Sequence, residues 1–79
     1  MAKDARPLSK TERTRLKNIG KHIRNLRESK GLTLEQVEDR GYPSWKHLQA
    51  VESGRKNFTI TSLFRLAEAL GIEAKEIIT

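Results

Sequence analysis

The chain contains no cysteine, which removes disulfide staples and any thiolate metal site from consideration. No apolar run approaches the ~20 residues that a membrane-spanning helix needs. The opening MAKDARPLSK lacks the apolar stretch of a secretory signal. These absences give the expectation of a cytoplasmic protein with no membrane partner. Aromatic residues are few, with one Trp, one Tyr and two Phe among 79 residues. So short a chain predicts one small domain with little core to spare. Acid is scarce at one end. Residues 1–30 carry ten Lys or Arg against three Asp or Glu, residues 31–58 carry four of each, and residues 59–79 carry two against three. The net charge of +6 is therefore one-sided. Such a field attracts a polyanion, most often nucleic acid, or simply keeps a basic helix solvated.

What is present is helical punctuation. Residues 1–8 have no apolar periodicity and read as a flexible basic arm, leaving 9–79 as the folded unit. Ser9 and Glu12 form a capping box, and Leu16, Ile19, Ile23 and Leu26 then recur as one apolar stripe to about Ser29, with Gly31 beyond. Lys17, Lys21, Arg24 and Lys30 occupy its other faces. Thr33 and Gln36 form a second capping box, followed by the buried pair Leu34 and Val37. Gly41 ends that helix, Tyr42 folds back on Val37, and Pro43 forbids continuation. Ser44 caps a third helix, residues 44–53, with Leu48 and Val51 inward and Gly54 at its end. Thr59 caps a fourth helix carrying Leu63, Leu66, Ala67 and Leu70, and Gly71 stops it. The closing EAKEIIT predicts one more short helix with Ile77 and Ile78. Five helices with short connections make an all-α domain, and no segment alternates as a strand would.

The stretch LRESKGLTLEQVEDRGYPSWKHLQAVESGRKNFTITSLFRLAEALGI resembles the phage-repressor, Cro-like or XRE, helix-turn-helix family. Its ESGRKN-TITSL portion is similar to the controller proteins of restriction–modification systems. The resemblance implies a compact, lambda-repressor-like fold acting as a homodimeric, sequence-specific regulator on double-stranded DNA. It implies that helix three lies in the major groove, with Trp45, Lys46, Gln49 and Ala50 toward the bases. Arg27, Ser44, Ser53, Arg55, Lys56 and Asn57 are then placed at phosphates, and the Thr33 cap, which leaves first-turn amides pointing outward, is either a further phosphate seat or purely structural. Arg27 is implied as the partner of Glu52, which sits near the core edge and is costly there alone. Phe64, Ile72, Ile77 and Ile78 are implied as the dimer contact, with core closure as their other reading. The pattern is also departed from: Glu38 replaces a small residue, Gly41-Tyr42 replaces Leu-Gly, and Leu34 replaces a glutamine.

The residues by themselves support a recognition face. On a helical wheel Lys46, Gln49, Ala50 and Ser53 lie opposite Leu48 and Val51, forming a polar, small and acid-free surface. Lys46 can donate to guanine, Gln49 can pair with adenine, and Ala50 permits close approach. Trp45 falls on the flank of that face, which leaves three roles open: contact with DNA, packing on helix two, or anchorage of a protein. The alternative function is accordingly a protein-interaction module, antitoxin-like or adaptor, that uses Tyr42 and Trp45. His22 and His47 lie in different helices with no carboxylate pattern and no glycine-rich phosphate loop. No catalysis, metal, cofactor or small-molecule ligand is expected.

Overall fold

The structure, a computed structural model, describes residues 7–78, so residues 1–6 of the expected arm lie outside the described residues. Four α-helices follow one another: α1 Lys10–Ser29, α2 Leu34–Asp39, α3 Trp45–Glu52 and α4 Ile60–Leu70. A single 3-10 turn, Ala74–Glu76, closes the fold, and the described residues contain no strand.

Each helix begins where a side chain replaces a missing backbone acceptor. Ser9 Oγ accepts from Glu12 N–H at 3.1 Å while Glu12 accepts from Ser9 N–H at 2.8 Å. Thr33 and Gln36 repeat the exchange at 3.1 and 2.8 Å. Ser44 accepts from His47 N–H at 3.3 Å and Thr59 from Ser62 N–H at 3.1 Å. The four ends are alike as well. In each, the amide of the residue after the terminal glycine reaches back to the carbonyl five positions earlier. These bonds are Leu32 to Arg27, Tyr42 to Val37, Arg55 to Ala50 and Ile72 to Ala67, at 2.9 to 3.2 Å.

The apolar faces converge on one core of Ile23, Val37, Tyr42, Leu48, Val51, Leu66, Ala67, Ala69, Leu70 and Ile77. Two sequence expectations change here. The fifth helix is reduced to one turn, because Glu76 and Ile77 bond back three residues, to Glu73 and Ala74, at 3.0 Å each. That tight turn swings Ile77 into the core at 0% exposure and leaves Ile78 outside at 56%. Ile77 is thus a core residue rather than a dimer contact. Ile72 packs against the same core as a partly buried residue, and Phe64 is exposed.

Candidate nucleic-acid interface

Helix α3 is short, at eight residues, and depends on its neighbours for its orientation. Its N-terminal end is held by α2 and the turn. Gly41, at φ +121°, lets the chain reverse where a side chain would be strained. Tyr42 then turns inward at 2% exposure, with its phenol 2.7 Å from His47 Nδ1 and the two rings stacked at 5.9 Å. Burial pushes the phenol's pKa up to about 12, so it stays protonated and available to donate. Tyr42 is therefore a core residue with a polar tip, and it offers no anchor to a protein partner. Glu38 Oε2 accepts from Trp45 N–H at 3.0 Å, placing a carboxylate on an otherwise orphaned amide of the first turn of α3. The sequence marks Glu38 as an oddity and nothing more. Its role needs the turn that brings α2 against the start of α3.

The C-terminal end of α3 is held by α1. Gly20 is buried in the middle of α1, and a Cβ there would overlap the carbonyl oxygens of Val51 and Glu52. Beyond it, Gly54 at φ +77° lies against the backbone and stem of Lys17. Arg27 closes the seam. Its Nε and Nη2 donate to Glu52 at 2.7 and 3.0 Å, while Nη1 donates to the Leu32 carbonyl at 2.7 Å. The two side chains are 10% and 7% exposed. The hydrogen bonds to Glu52 hold the guanidinium above its ordinary pKa, against the opposing pull of burial. No buried side-chain polar atom among the described residues lacks a partner. Arg27 thus ties α1, the entry to α2 and α3 together, which makes it a positioning residue first.

Between these two attachments the outer face of α3 is left to solvent. Lys46 and Gln49 are exposed, and Trp45 and Ala50 are half-buried. Lys46 Nζ stands 5.8 Å from the Trp45 ring centroid, close enough for a cation–π contact. Ser53 donates to the Ala50 carbonyl at 2.9 Å and accepts from Arg55 Nε at 2.8 Å, so Arg55 is aimed along the same edge. Lys56 and Asn57 follow it, both exposed, and Asn57 Oδ1 accepts from Phe58 N–H at 2.9 Å. Thr33 and Ser44 keep their hydroxyls on helix caps.

A cleft of about 420 Å³ joins these parts, lined by Arg24, Arg27, Leu34, Gln49, Glu52, Ser53 and Arg55. In sequence Arg24 stands only on a generic charged face, and its spacing of three from Arg27 is the one signal that points to the cleft. The two histidines have structural partners: His22 Nε2 lies 2.6 Å from the Glu76 carbonyl, joining α1 to the closing turn, and His47 meets Tyr42. Among the described residues there is no group of potential metal ligands and no helix long and apolar enough to cross a membrane.

Comparison with known proteins gives a consistent result. A helix-turn-helix family profile matches residues 23–77. An uncharacterized HTH-type transcriptional regulator of Sinorhizobium fredii is 43% identical over 63 residues, covering 80% of this chain and 82% of the relative. Among solved structures, the restriction-modification controller protein C.AhdI from Aeromonas hydrophila superposes with a TM-score of 0.78 at 31% identity, covering 81% of this chain and 97% of that one.

Proposed function

The chain belongs to the helix-turn-helix family of transcriptional regulators, not to an enzyme family, and from that premise we propose a sequence-specific, homodimeric protein that regulates transcription on double-stranded DNA. The observation that carries this reading is the outer face of α3. It is free of acid, fixed at both ends and flanked by Arg24, Arg55 and Lys56. In the major groove Lys46 donates to guanine O6 and N7, Gln49 pairs with adenine, and Ala50 lets the backbone approach a thymine methyl. Trp45 lines the rim of the groove and carries Lys46 over its ring. Ser53, Arg55, Lys56 and Asn57 meet phosphates on one side, with the caps at Thr33 and Ser44 on the other. Residues 9–79 act as one binding unit and residues 1–8 as an arm. Dimerisation uses the apolar surface outside the core. Phe64 is 53% exposed, Ile78 56% and Ile72 partly buried, and Ile60 at 73% lies one turn before Phe64 on α4. A two-fold pair would read half-sites about one helical turn apart.

The test is selection of duplexes from a random pool, followed by binding measured across salt. A single selected motif and affinity that falls steeply with salt are expected. Trp45→Ala should lower affinity for the selected site more than about tenfold, or ~1.4 kcal/mol, with an unchanged melting temperature. A pool that yields no motif, or binding indifferent to salt, overturns the proposal.

A further inference from the structure

Helix α1 carries a charged surface of its own that adjoins the face of α3 at Arg24. Lys10, Arg13, Lys17, Lys21 and Arg24 recur at spacings of three, four, four and three. At about 100° per residue they share a stripe roughly 80° wide. All five are exposed. Gly20 and Arg27, the residues that meet α3, lie between this stripe and the apolar face of Ile19, Ile23 and Leu26. The stripe therefore borders α3. At one end Arg24 enters the cleft with Gln49, Ser53 and Arg55. In the middle the stem of Lys17 lies on Gly54, the residue before Arg55 and Lys56. At the other end Lys10 and Arg13 stand on a stretch, residues 10–15, that is exposed on every side. Glu28 pairs with Arg24 at 3.2 Å and so marks where the stripe stops.

Resting on the DNA-binding reading above, we propose that this stripe is a second contact, made with the phosphate backbone of the duplex that flanks the site read by α3. Helical rise makes the stripe about 21 Å long. That is the axial span of about six successive phosphates on one strand. A single-sign row of regular pitch fits a uniformly charged rod, and the row is continuous with the cationic edge of α3. A membrane surface fits less well, because insertion needs an apolar face and the apolar face of α1 is already buried in the core. The contact carries charge and no base recognition, so it adds affinity and orientation while leaving sequence preference alone.

The experiment compares the full chain with a Lys10→Gln, Arg13→Gln, Lys21→Gln variant, which spares Lys17 on Gly54 and Arg24 in the cleft. Binding to a selected site is measured across salt, on a duplex with long flanks and on one trimmed to the site. On the long duplex the slope of log affinity against log salt should become shallower by about two to three, at ~0.9 for each phosphate no longer neutralised. Base preference should be unchanged, and the difference between proteins should vanish on the trimmed duplex. Equal slopes on the long duplex overturn the inference, as does a difference that persists undiminished on the trimmed one. Loss of binding to phosphatidylserine vesicles with DNA binding unaltered overturns it in favour of a membrane. If the wild-type chain selects no DNA at all, the functional reading falls before any variant is compared. Should the triple variant melt early, the Lys10→Gln, Arg13→Gln pair takes its place, with a slope change of about one to two.

Discussion

The two ends of α3 are attached by different chemistry. At its C-terminal end α1 makes a backbone-to-backbone approach at Gly20 and a buried bidentate ion pair, Arg27 to Glu52. At its N-terminal end α2 and the turn contribute single hydrogen bonds, Glu38 to the Trp45 amide and Tyr42 to His47. The first attachment leaves little room, since a Cβ at Gly20 would already overlap the carbonyl oxygens of Val51 and Glu52. The second is a set of separable bonds, each of which can break while the others stay. On the proposed reading, α3 would be held by a packed seam near the Arg24–Arg55 cleft and by separable hydrogen bonds near Trp45.

Three substitutions test that contrast. The largest effect belongs to the ion pair. Arg27→Ala should cost ~3–5 kcal/mol, because it strands the buried Glu52 carboxylate. Replacing both partners by apolar residues of similar volume should recover most of that loss, as denaturant midpoints would show. A double replacement as damaging as the single one would mean that the pair does more than neutralise itself. Next comes Gly20→Ala, expected to cost about 1–3 kcal/mol by forcing α1 away from the carbonyls of Val51 and Glu52. The same change at an exposed helical site would stabilise, so the sign alone is diagnostic. A neutral or stabilising result would show that the seam can relax.

The smallest effect falls at the other end. Tyr42→Phe keeps the ring and removes the bond to His47, at a cost of about 1 kcal/mol. It also carries a pH signature. The folded state holds the phenolic proton more tightly than the unfolded chain, with a pKa of about 12 against the ordinary 10.0. This contribution is complete below pH 10.0 and is lost as pH rises toward about 12. Unfolding midpoints followed through the alkaline range should fall in the wild type and stay flatter in the variant. Identical alkaline limbs would mean that the phenol is not the group that titrates.

Much of this fold is legible in the sequence because its signals are local. A Ser or Thr followed three residues later by Glu or Gln states where a helix begins, and glycine states where it ends, without reference to the rest of the chain. The apolar spacing on α1 and α4 then indicates which face turns inward. The candidate recognition face is legible for the same reason, since a helical wheel needs only eight residues.

Contacts between elements are not legible. Gly20 looks like a weak point in α1 until α3 is laid across it. Glu38 looks misplaced until the turn at Gly41 carries the Trp45 amide to it. Ile77 and Ile78 are identical neighbours, and the hydrogen bonds of one 3-10 turn decide that the first is buried and the second exposed. Tyr42 reads in sequence both as a packing residue and as a surface anchor, and its 2% exposure decides between them. The sequence by itself determined helix placement, the one-sided charge and the acid-free face, because these depend on spacing along a single element. Tertiary structure alone decided which residues hold α3, which isoleucine closes the core and where the basic stripe of α1 lies beside α3. Those outcomes depend on distances between elements, which cannot be read from residue spacing along any single one.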